Sequence, residues 1–97
     1  MNAAIRIAQE MRRLAILLTL SLSSQYRQPL AVLHPTLIEM GHSISDARLR
    51  GDVSWLVETG LIAFDEASEV ATLTMFGRDV ALGTASVSGV AKPRPGD

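Results

Sequence analysis

The sequence predicts a mainly α-helical domain carrying one small β-hairpin: a three-helix core, a two-stranded hairpin and a short C-terminal helix. Three observations predict it. Apolar residues recur at spacings of three and four from Ala3 to about Ser23, the period of a helix face. Polar caps and glycine stops bracket two further helices, at 45–60 and 74–83. Between these, "LIAFDE" and "EVATLT" are β-prone stretches parted by polar "ASE", the pattern of a hairpin.

In the first helix Ile7, Met11, Leu14, Leu18 and Leu22 form one row, which is expected to face the core. Ile16, Leu17 and Leu20 fall off that row, so the second half of the helix is apolar nearly all round. Such a helix must be covered on more than one side, either by running through the centre of the domain or by meeting a second copy. The expected outcome is a homodimer in which Ile16, Leu17 and Leu20 make the contact. Arg6, Gln9, Glu10 and Arg13 supply the wet side.

"SSQYRQP" reads as a break, because serines precede a proline that disfavours helix at the residue before it. A second helix follows from Pro29 or Leu30 to Met40, with His34-Pro35 predicting a late start or a kink, and Gly41 closes it. Ser45 caps a third helix that runs from Asp46 to about Thr59, and Asp46 complements the helix dipole. Leu49, Val53, Leu56 and Val57 are its expected inner face, and Gly60 stops it. After the hairpin, Thr74 caps a fourth helix through about Leu82, stopped by Gly83. The domain is therefore expected to span residues 1–83. Residues 84–97, "TASVSGVAKPRPGD", have no period and are expected to form an extended or disordered tail that adds little stability.

Bulk properties exclude several classes of function. Ninety-seven residues at 47% hydrophobic make one packed domain. With no cysteine there is neither a disulfide nor a thiolate metal site, and a reducing cytoplasm is the simplest compartment. The longest apolar run, Leu14 to Leu22, falls well short of the roughly twenty residues of a membrane span, so no membrane partner is expected. His34 and His42 have no carboxylate or cysteine at metal-ligand spacing, and no nucleophile–base pair or phosphate-binding glycine loop occurs. Neither enzyme activity nor a cofactor or metal is expected.

Helix, helix, helix, hairpin, helix is the order of a winged helix-turn-helix domain, in which a short turn crosses the second and third helices steeply. The stretches "LRGDVSWLVETGLIAF" and "ATLTMFGRDVA" carry Leu56, Gly60, Leu61, Leu73, Thr74, Gly77 and Val80 at the positions of the winged-helix signature. Over residues 12 to 82 the chain resembles the small ArsR-like proteins of Mu-like phages and prophages. These also end in a tail of the kind seen here in Gly89, Val90, Pro93 and Pro95. The resemblance implies a transcriptional regulator in the cytoplasm of a bacterial host. The cysteine-rich motifs of ArsR-type metal sensors do not occur in this chain.

On that fold, double-stranded DNA would be met by the exposed side of the third helix, where Ser45, Arg48, Arg50, Gly51 and Ser54 are the candidate contacts. Against this stand a net charge of −1 and an acidic hairpin tip, Asp65, Glu66 and Glu69, which phosphates would repel. Two readings follow. One is a winged-helix DNA-binding regulator or accessory factor. The other is a non-enzymatic adaptor that holds a phage protein partner in assembly or DNA packaging.

Overall fold

In the computed structural model, which describes residues 2–94, the elements follow in the order α1 (Ala3–Ser21), β1 (Arg27–Pro29), α2 (Leu30–Glu39), α3 (Asp46–Glu58), β2 (Ile62–Asp65), β3 (Val70–Leu73) and α4 (Met75–Leu82). The chain is thus mainly helical with a small antiparallel sheet. Each helix starts where a side chain or a proline can open it. Asn2 accepts the Ile5 amide, Ser45 that of Arg48 and Thr74 that of Gly77, so a free N–H of each first turn is satisfied. Pro29 opens α2, which runs on through Pro35 to Glu39.

The hairpin forms as expected, with Ile62 opposite Leu73 and Asp65 opposite Val70. A third strand joins it from the stretch read as a break. β1 pairs antiparallel with β3, Arg27 opposite Thr72 and Pro29 opposite Val70, giving the order β1-β3-β2. A single turn of 3-10 helix at Ser24–Tyr26, with Gln25 and Tyr26 at positive φ, swings the chain from α1 into this strand. The proline sits at the end of an edge strand, where a missing N–H is tolerated.

The core gathers Leu33 and Leu37 of α2, Leu49, Val53 and Leu56 of α3, Leu61 and Ile62, and Ala71 and Leu73 of the sheet around α1. Gly77 of α4 sits so close to the chain before β2 that a Cβ there would lie 2.0 Å from the Leu61 carbonyl oxygen. Only glycine lets α4 approach that strand.

The orientation of α1 differs from the expected one: Leu14 and Leu18 of the expected row do pack against the core, but the rest of that row does not. Ile16, Leu17 and Leu20, expected at a dimer contact, are fully buried inside the single chain and cannot touch a second copy. Ile7, Met11 and Leu22, expected inside, are at 50%, 51% and 88% exposure. The physical reason is polar. Arg12 and Arg13, the latter expected on the wet side, are both buried, and both bind Asp52 of α3. Residues 12, 13, 16, 17 and 20 share one helix face, so anchoring the arginines turns the three apolar residues inward. α1 then runs through the centre, packed on α2, α4, β1 and β3. On α3, Val57 is also more exposed than expected, at the edge of the core.

Residues 84–94 carry no regular structure, as expected, but they are not a free tail. Val90 is only 7% exposed and belongs to the core, with Ala85 and Val87 packed against it. Gly89 offers its carbonyl to Arg13 Nη1 at 3.2 Å, and the Ala91 amide donates to the Glu10 carbonyl at 3.1 Å. Gly89 has φ +101°, and a Cβ on it would lie 2.6 Å from the Trp55 ring, so the arm lies flat on that ring only through glycine. Pro95, the last residue of the tail pattern, lies outside the described residues.

This packing sets the expected result of ending the chain after Gly83. Burying a valine side chain is worth about 1.5–3 kcal/mol. Each kcal/mol moves the midpoint of a domain this size by roughly 4–8 °C. The truncated chain should therefore melt on the order of 10 °C lower in a calorimetric scan. A midpoint within about 2 °C of the full chain would mean that the arm contributes nothing.

Candidate functional site

α3 presents its exposed side between two structures that border it differently. The row Ala47, Gly51, Ser54 and Glu58, at helical spacing, forms the middle of that side, and all four are exposed. The two arginines fall on opposite flanks of the row. Ser45, Arg48 and Gly51 line a shallow depression toward α1, together with Gln9 and Trp55. Arg50 and Ser54 instead line a groove of about 480 Å³ between α3 and the hairpin. The five expected contacts therefore divide into two groups.

Arg50 is held on the hairpin flank by two carboxylates. Its Nε donates to Asp46 at 2.8 Å, one turn earlier, and its Nη1 lies 2.6 Å from Glu69 at the end of the hairpin turn. These hydrogen bonds, Glu69 first and Asp46 second, raise the guanidinium above its ordinary pKa, and both are solvent-screened because Arg50 and the two carboxylates are exposed or half-exposed. Glu69 is held in turn. Its φ of +57° is uncommon for a residue with a side chain, and its carbonyl accepts the Leu30 amide at 2.9 Å. Leu30, Val53, Val57 and Phe64 also line this groove, as do Glu58 and Glu66, so its charged groups are acidic apart from the ion-paired Arg50.

Arg48 is different. It is exposed, and among the described residues it has no ion-pair partner. Ser45 is occupied as the N-cap of α3, accepting the Arg48 amide at 3.1 Å. Among the described residues no atom outside the helix backbone lies within 4 Å of where a Gly51 Cβ would stand, so no packing contact there requires glycine.

Behind the depression lies a charged cluster that the sequence reading did not assemble. Asp52 is 2% exposed and accepts from Arg12 Nε and, at 3.2 Å, from Arg13 Nε. The Arg13 guanidinium also stacks on Trp55, 3.9 Å from the ring centroid, a cation–π contact. The signal for it was an aspartate at position 52 within the inward row Leu49, Val53, Leu56, and an arginine pair inside an apolar helix. An inward acid at helical spacing requires an inward base, which the pair supplies.

The histidines play no such part. His34 Nε2 lies 2.7 Å from the Ile44 carbonyl oxygen and ties α2 to the turn before α3. Among the described residues, no group of three or more His, Asp or Glu side chains could hold a metal ion, and no helix is long and apolar enough to cross a membrane.

A mainly helical chain of this form, with its partnered arginine and buried charge cluster, is a phage protein by its sequence relationship. Over 91 residues it is 38% identical to the uncharacterized protein gp26 of Escherichia phage Mu, a match covering 92% of this chain and 94% of that protein. The chain belongs to the family of phage Mu gp26. No protein-family model matches it, and no solved structure does.

The hairpin turn carries a titration that can be measured directly. Asp65 accepts the Ser68 hydroxyl at 2.8 Å and the Ala67 amide at 3.1 Å. These bonds, the hydroxyl first, hold its carboxyl below the ordinary value of about 3.9. A depressed folded value stabilises the fold above the unfolded value and loses that contribution as pH falls through the folded one. Carboxyl-carbon NMR should place the Asp65 midpoint below about 3.9, and Ser68→Ala should move it upward. A midpoint at or above that value in the native chain would show that the turn is not closed this way.

Proposed function

We propose that the chain is a non-enzymatic adaptor that uses a winged helix-turn-helix scaffold to hold a protein partner in phage assembly or DNA packaging. The scaffold reading is supported by the order α1-β1-α2-α3-β2-β3-α4 and by a sheet in which β3 lies between β1 and β2. In such a scaffold α3 would be the helix offered to a partner and the β2–β3 hairpin the wing. One observation carries the adaptor reading: Arg50, though itself exposed, is ion-paired with both Asp46 and Glu69, with which a DNA phosphate would have to compete. A helix that reads DNA needs basic groups free to meet phosphates and base edges, and a wing tip that phosphates do not repel. Here one arginine of α3 is ion-paired, and the groove beside it carries Glu58, Glu66 and Glu69.

A second reading, a DNA-binding transcriptional regulator, is favoured by one specific observation. Arg48 stands exposed and, among the described residues, without an ion-pair partner on the other flank of α3, near the helix N-terminus. The two readings separate in a fluorescence-anisotropy titration with mixed-sequence duplex DNA at about 50 mM salt, where electrostatic binding is strongest. The adaptor reading expects no saturable binding at micromolar protein, and no change in Arg48→Ala. Micromolar binding that Arg48→Ala weakens, with a salt slope flatter by about one unit, would overturn it in favour of the regulator.

A further inference from the structure

The groove between α3 and the hairpin has an apolar floor under an acidic rim. The α3 positions that line it, Arg50, Val53, Ser54, Val57 and Glu58, recur at spacings of three and four, so one stripe of the helix forms a wall. Leu30 and Val53 are buried, Phe64 of β2 is half-buried, and Val57 stays 40% exposed. The floor is tied to the hairpin, because the Leu30 amide donates to the Glu69 carbonyl at 2.9 Å. Around this apolar surface stand one arginine and three glutamates, Glu58, Glu66 and Glu69. Arg50 is paired with Asp46 and Glu69, whereas Glu58 and Glu66 have no ion-pair partner among the described residues.

We propose that this groove takes a basic amphipathic segment of a partner protein. Its apolar side chains would cover Leu30, Val53, Val57 and Phe64, and a lysine or arginine would meet each of Glu58 and Glu66. The inference rests on the adaptor reading and names the chemistry of the partner which that reading requires. Charge complementarity selects the occupant. Two carboxylates without partners attract a cationic side chain, and they repel phosphates, acidic peptides and anionic lipid alike. The floor selects further, because apolar surface gains from being covered by apolar side chains and not by a hydrated ion. Apolar anchors interleaved with basic residues satisfy both demands, as they do where an amphipathic helix enters a groove.

The dimensions of the groove set the length of the segment and its affinity class. Its volume is about 480 Å³, within the roughly 300–1,000 Å³ over which proteins enclose small ligands. From Arg50 to Glu58 the helix wall is about 12 Å long. That is room for a few side chains of one short segment, not for a folded domain. Each exposed ion pair contributes up to about fivefold in affinity. The segment is therefore held weakly, with dissociation on the order of 100 µM, and more weakly still as salt rises.

The probe is a short fluorescein-labelled peptide with leucines at spacings of three and four and lysines beside them. Its anisotropy is followed as the full chain is added up to about 1 mM, at about 50 mM salt. The expected result is saturable binding that Glu58→Gln and Glu66→Gln each weaken by about two- to fivefold. Both side chains are exposed, so circular dichroism should show the fold intact. Glu39→Gln, at the end of α2 and outside the groove, makes the same change in net charge and should leave binding unaltered. Amide NMR should show shifts at Val57, Phe64 and Glu66 and none at Ile7 or Met11. Absence of binding overturns the proposal, as do equal affinity for peptides with serine for leucine or glutamate for lysine, and binding that both glutamine variants leave intact. So do shifts that miss the groove. Duplex DNA titrated into the same samples separates this failure from that of the adaptor reading. With neither peptide nor DNA bound, only the basic amphipathic occupant is overturned. DNA binding that Arg48→Ala weakens overturns the adaptor reading, and this inference with it.

Discussion

A carboxylate taken out of water must be met by charge and hydrogen bonds, and Asp52 meets two guanidinium groups of a neighbouring helix. The rest of the structure follows from how that demand is answered. Two arginines against one carboxylate leave an excess positive charge in a buried place. Arg13 spreads its share over the Trp55 ring and the Gly89 carbonyl. Arg12 binds Asp52, and among the described residues its buried Nη2 has no hydrogen-bond partner. Buried polar clusters of this kind discriminate between arrangements more than they add stability, because a shifted register strands a charge. Here the cluster joins α1 to α3 at the azimuth that places Arg12 and Arg13 on Asp52.

That azimuth has consequences on three sides. Inward, it sends Ile16, Leu17 and Leu20 into the core and lets α1 run through the middle of a small domain. Along the edge, Arg13 and Trp55 form the surface on which the C-terminal arm lies, so that Val90 completes the core instead of trailing in solvent. Outward, the second apolar row of α1 is only partly covered: Leu14 and Leu18 pack against the core, while Ile7, Met11 and Leu22 stay exposed.

Most of the elements were legible in the sequence because local chemistry determines them. Ser45 and Thr74 cap where cap residues stand before a helical period, and Gly83 ends α4 in a left-handed conformation. The hairpin follows from two β-prone stretches with a polar turn. β1 was not legible, because three residues of "RQP" have no periodicity and become a strand only by pairing with β3. The rotation of α1 was misread for a related reason. Periodicity identifies two apolar rows but does not rank them, and the deciding partner, Asp52, lies 40 residues away in the chain. The candidate contacts on α3 were placed correctly on its exposed side. Their division into two flanks depends on the hairpin, whose Glu69 reaches back to Arg50.

If the charge cluster organises the domain, removing its acid must cost far more than removing a surface charge. The most direct measurement is equilibrium denaturant unfolding of Asp52→Ala, followed by Trp55 fluorescence. Breaking a buried ion pair from one side leaves uncompensated charge and costs about 3–5 kcal/mol. We predict a loss of that size. A loss below about 1 kcal/mol, the range of an exposed ion pair, would contradict the account and place the determinant of the α1 orientation in apolar packing alone.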